Sequence, residues 1–216
     1  MLQNRVNPFG ELVRTPARGN WMGNRGLLHN DKQEIIRPFK LTAWITCRLE
    51  FNNRKRKVMS PRRYTELFFL DEATGFAAGH RPCSECRRAE FNVFKSFWLK
   101  GNPEYGFTRK TPIGEIDRII QRERINEKKA KVTFEENIDQ IAEGSFVQIS
   151  GKAFLISGGL LHQWSPEGYS GGIGLPKTDK LIMLTPRSII NTFRAGYSPQ
   201  IAVLNIWKER RALAFT

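Results

Sequence analysis

The chain has 216 residues, with 35 Lys and Arg against 21 Asp and Glu and a formal net charge of +14. Its length suits one large domain or two small ones, and its 40% apolar and 26% charged residues are those of a folded globular protein. No run approaches the roughly 18 apolar residues of a membrane helix. The N-terminal MLQNRVNPFGELVR carries no apolar stretch of a secretory signal, so the expectation is a cytoplasmic protein with no membrane partner.

The charge is uneven. Residues 1–131 hold 27 Lys and Arg against 14 Asp and Glu, while residues 132–216 hold 8 against 7. This predicts a basic region over 1–131 and a small α+β region over 132–216 whose role the sequence leaves open. A half this basic attracts polyanions by releasing their counterions, nucleic acid first, with anionic lipid or an acidic protein as the other classes.

Residues 1–40 are rich in Gly, Pro, Asn and Arg and show no period, which predicts an ordered, extended loop region anchored by Trp21, Met22, Leu27 and Leu28. From Leu41 to Phe51 the apolar side chains alternate, predicting a half-buried strand with Cys47 inward and a hairpin turn over Asn52–Lys57. Asp71 reads as the N-cap of a short helix through Ala77, ended by Gly79. A second helix is predicted near 84–100, with Phe91, Phe94 and Trp98 on its buried side and Gly101 as its stop. A third is predicted over 113–127, started by Thr111-Pro112, burying Ile113, Ile116 and Ile120 and turning Arg118, Arg122 and Arg124 outward. Short strands follow at Phe146–Ile149, Ala153–Ile156, Leu160–Trp164 and Leu181–Leu184, then a helix from Thr185-Pro186 to about Gly196.

Between the first two helices lies Arg81-Pro82-Cys83-Ser84-Glu85-Cys86. A Cys-x-x-Cys knuckle aims both sulfurs at one point and suits a metal; three cysteines make a poor disulfide framework, and no strand–helix–strand context supports a redox pair. The wider stretch from Phe69 to Cys86, with its Gly-x-Arg-Pro-Cys-x-x-Cys segment and the upstream Cys47-Arg48, resembles the N-terminal zinc module of the Ada alkylation-response family over about residues 41–90. That resemblance implies a zinc module with a hairpin and helices; the short strands beyond it read as a small mixed sheet, which makes an α+β fold in all. It also implies that Cys47, Cys83 and Cys86 ligate Zn2+, that Cys47 occupies the position of an alkyl-accepting thiolate, and that the module holds DNA. The family's fourth cysteine has no counterpart, since Phe51 stands at that place. His29 is the first candidate for the fourth ligand, with His80 and an acidic side chain or water as alternatives.

Arg48, Arg54, Lys55, Arg56, Arg62, Arg63, Arg81, Arg87 and Arg88 surround these cysteines in sequence and suit a phosphate track. The expectation is a zinc-stabilised nucleic-acid-binding protein, DNA before RNA, in the response to DNA damage. The alternative is a nucleic-acid-processing enzyme, a nuclease or glycosylase, in which the loop holding His162 and Glu167 would supply the chemistry. The Thr185–Ser188 helix start is a further candidate for holding an anion.

Overall fold

A computed structural model describes residues 1–53 and 57–202. It is an α+β fold built on two six-stranded sheets. The first sheet takes its strands from scattered segments: β1 (Gln3–Val6), β2 (Leu12–Arg14), β3 (Trp21–Asn24), β4 (Ile45–Cys47), β5 (Leu67–Phe69) and, after helix α1 (Glu72–Ala77), β6 (Arg81–Pro82). Its order is β2-β1-β5-β3-β4-β6, with the β1–β5 and β4–β6 pairs parallel and the rest antiparallel. Helices α2 (Arg88–Gly101) and α3 (Ile113–Arg124) follow. The second sheet comprises β7 (Phe134–Asn137), β8 (Phe146–Ile149), β9 (Lys152–Ser157), β10 (Leu160–Ser165), β11 (Gly168–Gly174) and β12 (Lys180–Met183), and helix α4 (Arg187–Arg194) comes last among the described residues. This sheet is antiparallel throughout, in the order β11-β10-β9-β8-β12-β7.

The second sheet is covered on both faces. Val147, Phe154 and Ile156 join a large cluster with Phe94, Trp98, Ile116, Ile120, Ile189 and Phe193 of the helices. The alternate residues Phe146, Ala153 and Leu155 face Leu70, Ala73 and Ala77 instead. A strand buried on both sides needs an uninterrupted apolar run, and β9 has one. Helices α2 and α4 approach so closely that a Cβ on Gly101 would lie 2.3 Å from the Asn191 carbonyl oxygen, which only glycine permits. The main cluster joins Phe76 of α1 and α2 to the second sheet, so the packing does not part at residue 131.

α1 is the hinge of this arrangement. Asp71 caps it by accepting from the Thr74 N–H, and all six of its residues are buried. Asp71 also accepts from the Tyr169 hydroxyl at 2.7 Å and the Ala202 N–H at 2.9 Å, tying the helix start to the second sheet and the chain beyond α4.

Several expectations need correction. The extended segment 1–40 contains three strands, too short to show a period. The 41–51 strand shrinks to Ile45–Cys47, and no hairpin pairs it with Val58 and Met59; its partners are β3 and β6. The alternation there misleads because Trp44 and Thr46 take the buried side, leaving Leu41 and Leu49 about half exposed. The second helix begins at Arg88 because the knuckle occupies residues 83–87. Arg124 is buried rather than outward. The strands Phe134–Asn137 and Gly168–Gly174 were not anticipated; the first carries two Glu and the second four Gly. No helix among the described residues is long and apolar enough to cross a membrane.

Candidate metal centre

The cysteines meet because two peptide segments run side by side. The Cys83 N–H donates to the Thr46 carbonyl at 2.9 Å, extending the parallel β4–β6 ladder and setting Cys83 next to Cys47. The Arg87 N–H then donates to the Cys83 carbonyl at 3.2 Å, closing the turn that brings Cys86 back. All three sulfurs lie within 4.8 Å of one another. The residues are 7%, 6% and 9% exposed, and all three are free thiols.

The donor set fits a soft divalent ion. Bonds of about 2.3 Å from a tetrahedral zinc put its sulfurs about 3.8 Å apart, within the observed spread. Backbone donors already face the sulfurs: the Glu85 N–H points at Cys83 Sγ at 3.4 Å, and the Arg48 N–H faces Cys86. The hydrogen bond from Cys47, against a desolvation cost, pulls the Cys83 thiol down to about 5. The same partner lowers Cys86, while its bonds to both and its own burial push Cys47 up. Cys83 and Cys86 are thus shifted toward the thiolate and Cys47 toward the thiol, and a bound cation would favour the thiolate at all three.

Beside the sulfurs lies a cavity of about 570 Å³, with Asn24, Phe51, Tyr64, Glu66 and Glu85 among its walls. Cys47, Cys83 and Cys86 all line it, so the cluster borders space for a small molecule or water.

His29 is a correction. It is buried, but its Nδ1 is 2.6 Å from Thr65 Oγ1 and its Nε2 is 3.2 Å from the Ser60 carbonyl, and it is not among the clustered ligands. Both ring nitrogens are spent holding the 60–65 loop. His80 is also absent from the cluster; it is wholly buried, set against the Phe69 and Trp44 rings, and its Nε2 accepts from Arg25 Nε at 3.1 Å. Among the described residues no fourth ligand from His, Asp or Glu joins the three sulfurs.

The predicted phosphate track divides. Arg81 is 4% exposed and grips Asp117 of α3 through two bonds of 2.7 Å. Arg87 is 2% exposed, bonded to Glu72 at 2.6 Å and Thr46 Oγ1 at 2.8 Å, with its guanidinium over the Trp21 ring. Neither is available to a phosphate. Both brace the knuckle: Arg87, next to Cys86, ties it to α1 and to the residue beside Cys47. Arg48, Arg62, Arg63 and Arg88 are exposed, and Arg48 pairs with Glu90 at 3.2 Å. Arg54, Lys55 and Arg56 lie outside the described residues.

The second half offers no comparable site at the places predicted for one. His162 is buried, its Nε2 3.2 Å from the Ser157 carbonyl, while Glu167 is exposed at the tip of the β10–β11 hairpin. The helix start at Ser188 is already filled, since the Glu123 carboxylate accepts from its N–H and its hydroxyl.

Sequence reasoning offered Glu72 or Glu85 as a partner for Arg81, and missed that Asp117 takes Arg81 while Glu72 takes Arg87. A signal existed for Asp117: Ile113, Asp117, Ile120 and Arg124 fall at helical spacing on the inward stripe of α3, where a carboxylate needs a buried cation. Compared with known protein families, curated proteins and solved structures, the chain matches none.

Proposed function

We propose that this protein is a zinc-thiolate nucleic-acid-binding protein, with Cys47, Cys83 and Cys86 as the protein's ligands and duplex DNA as the preferred polyanion. The observation that carries the reading is the meeting of three buried sulfurs from two separate segments within 4.8 Å, in a chain of net charge +14. A bound ion would lock β4, β6 and the start of α2 together and so fix the exposed Arg48 and Arg88 that flank its ligands. Arg62 and Arg63, just before the cavity-lining Tyr64, extend the same basic surface. The likeness of residues 69–86 to the Ada zinc module supports the same assignment.

The test is fluorescence anisotropy with a DNA duplex at a series of salt concentrations. Binding that weakens linearly in log–log form, with a slope that flattens by about one for each of Arg62→Gln, Arg63→Gln and Arg88→Gln, bears the reading out. Absence of binding at low salt, or a slope unmoved by all three, overturns it.

One observation favours a catalytic variant: the three sulfurs line a cavity, and no His, Asp or Glu among the described residues joins them as a fourth ligand. Three protein ligands with an open position are the pattern of catalytic zinc, which lowers the pKa of bound water to about 7. Hydrolysis of DNA that survives Cys47→Ser excludes this variant; its loss together with the metal supports it.

A further inference from the structure

About Trp44, on the other side of His80 from β5, three cations converge with no ion-pair partner among the described residues. The Arg25 and Arg124 guanidinium carbons each lie 3.9 Å from the Trp44 ring centroid, and Lys131 Nζ donates to the Ala77 carbonyl at 2.5 Å. Arg25 and Arg124 are 1% and 2% exposed. Buried guanidinium groups ordinarily sit against carboxylates, as Arg81 and Arg87 do in this same fold. Among the described residues these three form no ion pair; the nearby Asp117 is committed to Arg81 through both its oxygens.

Their partners are neutral. Arg124 donates to the Gly79 and Thr42 carbonyls, and Arg25 donates to the Gly10 carbonyl and to His80. These bonds set the direction of each cation without balancing its charge. Among the described residues Arg25 Nη2 has no hydrogen-bond partner. This buried nitrogen lies 3.9 Å from where a Cβ on Gly10 would stand, and Gly10 and Arg25 line a cavity of about 340 Å³ together with Arg124 and Lys131. Gly79 is what lets Arg124 come so close: its φ is +83°, and a Cβ there would meet Arg124 Cδ at 2.5 Å. The exposed Glu11 is the one acid among the described residues lining this cavity, its carboxylate accepting from Asn7 Nδ2 at 2.8 Å, and Lys129 lines the cavity as a further cation. Mutual repulsion and burial show in the cations themselves: desolvation lowers Arg25 to about 9, and desolvation followed by the charges of Arg25 and Arg124 lowers Lys131 to about 7.

The geometry points to an anion site: the cavity bounded by Arg25, Arg124 and Lys131 takes a phosphate group, as the free ion or as a phosphomonoester. The fork of Arg25 presents an unused donor, Arg124 a second guanidinium, and Lys131 a compact charge, the combination that suits a tetrahedral oxyanion. This site is separate from the metal centre and does not depend on it.

Isothermal titration of the full chain with inorganic phosphate, against chloride at matched ionic strength, is the test. The expected result is one site per chain, weakened at least tenfold in Arg25→Gln and in Lys131→Met. Titration with adenosine 5′-monophosphate and with adenosine identifies the source: tighter binding of the monophosphate than of phosphate assigns a phosphomonoester, and equal binding assigns the free ion. Lys131 is only partly buried and makes one hydrogen bond, so Lys131→Met keeps the test alive if Arg25→Gln does not fold. No saturable phosphate binding, or affinity unchanged in Lys131→Met, overturns the assignment.

Discussion

The two sheets of this protein are held together by different physics. The second is an antiparallel sheet of strands four to seven residues long, in which β8 to β11 each pair with the next in sequence and β12 closes back on β8 and β7, buried by apolar side chains on both faces. The first draws strands of two to four residues from an 80-residue span and joins them in mixed directions. Strands that short bury little apolar surface of their own. Their place is set by side chains with specific partners: Arg81 on Asp117, Arg87 on Glu72 and Thr46, His29 on Thr65, and the three sulfurs on one another. The difference teaches where function can live, since both candidate sites fall in the half that polar contacts assemble.

The comparison predicts distinct responses to mutation. Asp117→Ala leaves Arg81 charged, buried and alone, and should cost about 3–5 kcal/mol in chemical denaturation. Replacing both partners, Arg81→Met with Asp117→Leu, should recover most of that loss; a double variant as unstable as the single one would show that the pair is not what joins β6 to α3. In the second sheet Ile156→Ala should cost about 2–5 kcal/mol through its lost apolar contacts and the cavity left behind, with no change in bound metal. Metal loss in Ile156→Ala would break the division between the two halves.

A smaller effect comes from pH. Burial, then the charges of Arg25 and Arg124, holds His80 well below the ordinary histidine range. The unfolded chain therefore takes up a proton below about pH 6.5 that the native chain refuses, so stability is present above that pH and lost as the pH falls. The loss should approach about 1.4 kcal/mol per pH unit. Denaturation curves between pH 6.5 and 5 should show this slope, and His80→Gln should flatten it. The smallest effect is expected at Arg48→Ala: its pair with Glu90 is half exposed, and the change should fall within about 0.5 kcal/mol.

What the sequence made legible follows the same line. The strands Phe146–Ile149, Lys152–Ser157 and Leu160–Ser165, the capped helix after Asp71 and the buried faces of α2 and α3 all announce themselves through period, caps and Gly punctuation, because local apolar pattern is what forms them. The knuckle was legible through spacing, and so was the inward Cys47. The three strands before Asn24 were not, because two to four residues cannot display a period. Arg81 and Arg87 read as members of a phosphate track, with a pair to Glu72 or Glu85 open only for Arg81, because composition cannot tell a solvated arginine from one that has found a buried carboxylate. His29 looked like a ligand for want of a fourth cysteine, yet a histidine beside a loop threonine satisfies itself. The cationic cavity was invisible for a similar reason: Arg25 is far in sequence from Arg124 and Lys131, and only the fold, with the turn at Gly79 and the Ile125–Lys131 bridge after α3, brings them to one cavity.

The central claim is that three sulfurs gather one metal ion. X-ray absorption at the zinc edge, on protein purified without added metal and counted by elemental analysis, tests it most directly. The account predicts about one zinc per chain with three sulfur neighbours and one lighter atom, falling to a trace in Cys86→Ala. A chain free of zinc, or zinc with no sulfur around it, would contradict it.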